Sequence, residues 1–195
     1  MKVMARTVRL LLPLLLLALV AQAQDEMKPQ RPTITPDRYD VTIRSLGGDL
    51  NSSDDDFAPL LLGSGKVLYF TSNRTGNQDI YSAVMGYKDW EQIQAAGPAL
   101  NSSGDEGGTT ITPDGHWMVF TACDRQDGYG DCDLYIAEYI GGSWRNITNL
   151  GSNVNSSAWD SQPTLSPDGL ILLFVSERPG GEGGTDIWMT SRPYG

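Results

Sequence analysis

One histidine and two cysteines in 195 residues leave little material for most catalytic or metal-binding constellations. His116 stands alone, so no second imidazole exists to complete a metal cage, and a Ser-His-Asp triad would have to rest on it. It follows a Pro-Asp-Gly turn at a strand start, where an exposed turn residue is the simpler reading. No Gly-x-Ser-x-Gly elbow is present, and the cysteines are not a Cys-x-x-Cys redox pair. Basic side chains are scarce: 14 Lys and Arg stand against 24 Asp and Glu, for a formal net charge of -10. Such a chain has no basic stripe to release counterions from a nucleic acid, and an anionic bilayer surface is disfavoured for the same reason. The 22 glycines and 11 prolines are about 17% of the chain, below the roughly 25–30% that marks low complexity, so wholesale disorder is excluded.

Only one long apolar run exists, at residues 10–20. Lys2, Arg6 and Arg9 precede it and the small-residue site Ala21-Gln22-Ala23 follows. This is the pattern of a secretory signal peptide over residues 1–23. The run is shorter than the ~20 residues a spanning helix needs and contains Pro13, so the mature chain is not expected to span a membrane. No cysteine lies near the cleavage site to carry a lipid. Loss of the leader removes basic but no acidic side chains, making the exported product more acidic still. Residues 24–38 hold three prolines and no apolar periodicity, and read as a linker.

The remainder repeats three times. Asn-Ser-Ser recurs at Asn51, Asn101 and Asn155, and a phenylalanine closing an apolar run at Phe70, Phe120 and Phe174, both with spacings of 50 and 54. An acid then leads a second run, as Asp79-Ile80-Tyr81, Asp133-Leu134-Tyr135 and Asp186-Ile187-Trp188. The turn before the phenylalanine is Pro113-Asp114-Gly115 and Pro167-Asp168-Gly169 in the later copies and Gly63-Ser64-Gly65 in the first. With Lys66, that last tripeptide faintly resembles a phosphate-binding loop, but the upstream glycine is missing and its register is that of a turn.

Short β-branched and aromatic runs bounded by Gly, Pro, Asn and Asp are strand-and-turn chemistry. The expected strands are 58–62, 67–71 and 80–84; then 109–112, 117–121 and 134–138; then 163–166, 171–175 and 187–191. A fourth strand is marked by Trp90 and Trp144. Four antiparallel strands per roughly 50 residues describe a propeller blade. The fold class is therefore all-β, with blades near 50–97, 100–150 and 154–195.

The combination of Asn-Ser-Ser-x-x-acid, Ser-Pro-Asp-Gly at Ser166 to Gly169, Phe-x-Ser-x-Arg at Phe174 to Arg178, and Asp186-Ile187-Trp188 resembles the Pro-Asp-Gly type of WD-like β-propeller repeat of TolB-type periplasmic proteins. It covers roughly residues 39–194. The resemblance implies an envelope or secreted scaffold that contacts other proteins, periplasmic or secreted in location. An OmpA-like peptidoglycan-binding domain that often accompanies such repeats is not seen.

Three blades do not close a ring, since propellers typically have four to eight. Residues 39–46 precede the first copy as the Trp90 segment precedes the second, which makes them an orphan fourth strand, while the third copy lacks its own. Two readings stay open: a piece of a longer propeller, or two chains exchanging the opening strand in a six-bladed homodimer.

Cys123 and Cys132 flank eight residues at the end of one strand and the start of the next, where a disulfide is natural and an oxidising envelope permits it; two free thiols are the alternative. Asp56, Glu106 and Asp160 recur just before the first strand of each copy, with Asp54, Asp55 and Asp105 beside them. Arg74, Arg125 and Arg178 recur after the second strand. Repetition in every copy is what structural pairing of arginine with carboxylate predicts. The other reading is a partner-contact face at a channel mouth, where Asp56, Glu106 and Asp160 hold a cation such as calcium or a basic segment. Otherwise no cofactor and no catalytic residue is expected. Five Asn-x-Ser/Thr sequons, at Asn51, Asn73, Asn101, Asn146 and Asn155, mark glycosylation only in a eukaryotic secretory route. The expected function is an exported protein-binding scaffold rather than an enzyme, and the runner-up is a carbohydrate-binding or glycoside-processing propeller using its acidic face.

Overall fold

The computed structural model describes residues 42–192; the signal sequence, the linker and residues 39–41 lie outside them. The chain divides into two units, Met1–Arg44 and Ser45–Gly195. Of the first, only residues 42–44 are described, and they carry no regular structure.

The second unit is built of β-strands apart from one helical turn, α1 (Gly47–Leu50). Its first sheet is β1 (Asp56–Leu61), β2 (Val67–Ser72), β3 (Asp79–Met85) and β4 (Trp90–Ala95); its second is β5 (Glu106–Ile111), β6 (Trp117–Cys123), β7 (Cys132–Ile140) and β8 (Ser143–Asn149). The third has β9 (Asp160–Leu165), β10 (Ile171–Ser176) and β11 (Asp186–Ser191). Each sheet is an antiparallel meander in sequence order, as the repeat predicts, and the three do not close on one another. The first strands, β1, β5 and β9, lie side by side.

The turn between first and second strands shows why the motif is written as it is. In Thr112-Pro-Asp-Gly, the Gly115 amide donates to the Thr112 carbonyl at 2.8 Å, and Asp114 Oδ1 accepts the Thr112 hydroxyl and the His116 amide. Ser166 and Asp168 repeat this in the third blade. Gly65, Gly115 and Gly169 take φ of 68°, 74° and 67°, which a Cβ would oppose. In the first blade Gly65 makes the same bond to Leu62, and Ser64 Oγ accepts the Lys66 amide in place of the aspartate. Gly63-Ser64-Gly65-Lys66 is thus a turn.

The first strands begin two to three residues earlier than their apolar runs indicate, each opening on its acid: Asp56 lies opposite Ser72, Glu106 opposite Ala122 and Asp160 opposite Ser176. Each also holds a bulge, with Ala58, Gly108 and Gln162 at φ of 49°, 54° and 52°.

Alternation along the strands gives every sheet two apolar faces. One face of the first sheet (Tyr69, Ile80) buries against Met118, Phe120, Tyr135 and Trp144 of the second, with Leu100 in the same cluster. Val119 and Leu134, on the far face of the second sheet, pack with Leu172 and Phe174 of the third. Burying a side chain of this size stabilises by roughly 1.5–3 kcal/mol, so these layers hold the sheets together.

The described part of the expected orphan strand, residues 42–46, is not a strand. A strand needs an edge, and within this unit β1 to β4 already fill the first sheet.

Candidate binding surface

Each blade encloses one arginine in the same cage. Arg74 donates from Nε to Ser72 Oγ at 2.8 Å and from Nη2 to Asp56 Oδ1 at 2.7 Å and the Leu50 carbonyl at 2.6 Å. Its guanidinium lies over Phe70 and Tyr81, 5.3 and 4.7 Å from their centroids. Arg178 repeats this with Ser176, Asp160 at 2.6 Å, the Val154 carbonyl, Phe174 and Trp188. In the second blade Arg125 meets the Leu100 carbonyl, Glu106 at 3.2 Å, Phe120 and Tyr135. The same carboxylates accept the serine of the Asn-Ser-Ser motif: Ser52 and Ser156 give both amide and hydroxyl to the oxygen that the arginine leaves, whereas Ser102 gives its amide to Glu106 Oε2 and its hydroxyl to Oε1, the oxygen that Arg125 also uses.

Glu106 and Asp160 are fully buried and Asp56 is half-buried. Burial alone pushes Asp56 up, but hydrogen bonds from Ser72, Arg74 and Ser52 outweigh it and hold its carboxyl at about 2. These six charged side chains face one another inside the blades. Among the described residues no three His, Cys, Asp or Glu side chains come together to hold a metal ion.

Asp54, Asp55 and Asp105 are exposed at the entry to the first strands. Asp105 Oδ1 accepts the Gln78 amide at 2.8 Å, and the Asp55 amide donates to Asn73. The acids opening the third strands organise the preceding loops: Asp79 accepts Thr75 Oγ1, Asp133 the amides of Tyr129 and Gly130, and Asp186 that of Gly183. His116 is exposed, with Nε2 3.6 Å from Glu138 Oε1. Cys123 and Cys132 face each other across β6 and β7 and form a disulfide.

The asparagines of the Asn-Ser-Ser motif clip the preceding blade. Asn101 accepts the Ile80 amide and donates to the Ile80 carbonyl, both at 2.9 Å; Asn155 does the same to Leu134 at the same distances. The sequence marked these residues as a repeat without showing what they bind.

An open cleft of about 580 Å³ runs along β1, β5 and β9. Phe57, Gln78, Asp105, Trp159, Gln162 and Pro163 line it together with the disulfide. Asp105 is one of the acids that the sequence set beside the repeated carboxylates; the other side chains were missed because they do not repeat. By position, Asp55 and Asp105 correspond to Trp159; Phe57 corresponds to Gly107 and Ser161; Ala58 and Gly108 correspond to Gln162. The blades are alike where they are held together and unlike where they face the cleft, and that departure from repetition is the signal by which such residues could be found.

Three antiparallel sheets joined in series, with first strands side by side, are β-propeller blades. The chain is similar in structure to TolB from Acinetobacter baumannii, at 25% identity and a TM-score of 0.51, over 69% of this chain and 29% of that one. It is also similar to the Agrobacterium tumefaciens structure described as a TolB (18%, TM-score 0.42, 74% and 45% of the two chains) and to the endo-arabinase of Bacteroides thetaiotaomicron (15%, 0.45, 74% and 58%). The blades are thus of TolB type, and the chain spans less than half the length of either TolB. No protein-family model and no curated sequence matches it.

Proposed function

We propose that this chain is an exported propeller scaffold that binds a segment of another envelope or secreted protein in the cleft over β1, β5 and β9, and that it is not an enzyme. The observation that carries this reading is the division of labour among its polar residues. The repeated acids and arginines are spent on one another inside the blades. What remains at the surface is an open groove with an aromatic and amide lining, Phe57, Trp159, Gln78 and Gln162, and the carboxylate of Asp105, while Asp54 and Asp55 are exposed just before β1. Aromatic side chains supply contact area, and exposed acids favour a partner segment bearing Lys or Arg. The six-residue network of Asp56, Glu106, Asp160, Arg74, Arg125 and Arg178 acts on this reading as scaffold, not as a cation site.

Export rests on the leader sequence, and a disulfide within the blade is what an oxidising compartment would preserve. Fractionation of cells with mass measurement of the product checks it, with cleavage after Ala23 expected.

Binding is tested by capturing partners from an envelope extract on the immobilised mature protein, then repeating with Trp159→Ala and Asp105→Asn. Both should lose the captured protein while melting like the wild type. Capture unaffected by both substitutions would place binding elsewhere.

A further inference from the structure

The disulfide closes a position that the other two blades build without one. The register of the second and third strands ends on Ser72 with Asp79, Ala122 with Asp133 and Ser176 with Asp186. One step further along the hairpin stand Asn73 and Gln78 in the first blade, Cys123 and Cys132 in the second, and Glu177 and Thr185 in the third. The backbone there is the same in all three: the amides of Asn73, Cys123 and Glu177 donate to the carbonyls of Asp55, Asp105 and Trp159. In the third blade Thr185 Oγ1 donates to Glu177, and in the first Asn73 accepts the Asp55 amide instead. The loop that the disulfide spans is also tied by other bonds: the amides of Tyr129 and Gly130 on Asp133, the Tyr135 hydroxyl on Asp127, and the Asp124 amide on the Asp131 carbonyl. The covalent bond is thus not what shapes the blade.

Its place is the cleft wall, which both cysteines line. On one side the Cys123 amide holds the carbonyl of Asp105. On the other, Gly130, two residues before Cys132, packs so closely on the carbonyls of Ser156 and Ala158 that no Cβ would fit, and Ala158 leads directly into Trp159. The two cysteines are not equivalent: Cys132 is 8% exposed, whereas Cys123 is half-buried.

We propose that Cys123 and Cys132 form a reversible thiol–disulfide exchange site, opened by a dithiol that enters through the cleft and attacks at Cys123. The attacking thiolate bonds to Cys123 Sγ as the S–S bond breaks, and Cys132 leaves as a thiolate that takes up a proton. The second thiol of the dithiol, losing its proton, then displaces Cys123, which is protonated in turn. Two electrons pass to the protein, both cysteines end as thiols, and the dithiol ends as its own disulfide. Two thiols need separate van der Waals room that bonded sulfurs share, and the open side is the cleft. Reduction therefore narrows the cleft between Asp105 and Trp159 and weakens its hold on a partner segment. That last consequence rests on the binding function proposed above; the exchange does not.

Dithiothreitol is the probe. The folded, oxidised mature protein, treated without denaturant and then alkylated, should gain two labels by mass and keep a cooperative melt. Cys132→Ser and Cys123→Ser each leave one thiol, and with both variants folded by their melts, the thiol of Cys132→Ser should react with an aromatic disulfide reagent at least about tenfold faster. Capture of the envelope protein should fall about tenfold on reduction and in the double Cys→Ser variant, where dithiothreitol has no further effect. A bond that yields only when the chain is unfolded, a reduced chain that loses its melt, or a Cys132 thiol that reacts as fast as Cys123 would overturn the exchange site. Capture equal in both redox states would overturn its control of the cleft. A protein that captures nothing in either state overturns the binding function instead, and the labelling and rates still decide the exchange.

Discussion

Arg125 donates from both Nε and Nη2 to a single oxygen of Glu106, at 3.4 and 3.2 Å. In the other two blades Nε goes to a serine, Ser72 or Ser176, and the acid is an aspartate. The second blade has Ala122 at the serine position. The longer glutamate occupies the bond that the missing hydroxyl leaves open, so acid length and the residue opposite it are one choice.

That coupling is measurable. Glu106→Asp alone shortens a fully buried carboxylate and leaves Arg125 Nε without an acceptor, at a cost of about 1–3 kcal/mol. Ala122→Ser alone crowds a filled site and costs about 1 kcal/mol. Together they rebuild the arrangement of the flanking blades, and urea denaturation should show a favourable coupling of about 1–2 kcal/mol. Additive costs would mean that the two positions are independent.

Arg178→Ala leaves Asp160 buried without its cation, and breaking a buried pair on one side costs about 3–5 kcal/mol. Chemical denaturation should show a loss in that range. If the acids were free to bind a ligand instead, this substitution would leave stability near the wild-type value.

The blades were legible because their apolar runs, Pro-Asp-Gly turns and acid–arginine spacing recur in register. The starts of the first strands were not. Acids are poor strand formers in isolation, and only the buried guanidinium makes Asp56, Glu106 and Asp160 fit inside a sheet. The bulges were hidden as well: glycine at 108 is the residue a left-handed conformation favours, but Ala58 and Gln162 adopt the same φ because the strand pairing imposes it. The cleft was invisible for another reason. Phe57 and Trp159 break the repeat, and a search for recurrence passes over them.

Asn101 and Asn155 each satisfy a backbone amide and carbonyl of the preceding blade through one side chain. Asn155→Ala leaves the Leu134 amide buried without an acceptor and should cost about 1–3 kcal/mol, seen as a lower denaturation midpoint. Asn155→Asp keeps the acceptor but loses the donor, and is expected to recover part of that loss. A cost shared equally by Asn51→Ala would show that the clip matters for something other than its partner strand.

Acid titration separates Asp56 from Asp133. The folded-state pKa of Asp56 is about 2, below the ordinary 3.8, so its stabilisation is complete above 3.8 and is lost as pH falls towards 2. Asp133 is shifted the other way. Burial pushes it up against the hydrogen bonds from Tyr129 and Gly130, the charges of Asp160 and Asp127 add to the rise, and its Oδ1 has no hydrogen-bond partner within the protein. The folded state therefore holds this proton more tightly than the unfolded chain, and stability falls as pH climbs through and above 3.8. Asp133→Asn removes that penalty while keeping an oxygen for the Tyr129 amide. Relative to the wild type it should gain stability between pH 3 and pH 7, measured by denaturation at both. Ser72→Ala, which takes one hydrogen bond from Asp56, should instead move the acid unfolding midpoint upward. Equal pH profiles for wild type and Asp133→Asn would mean that the charge on this aspartate is solvated in the folded blade.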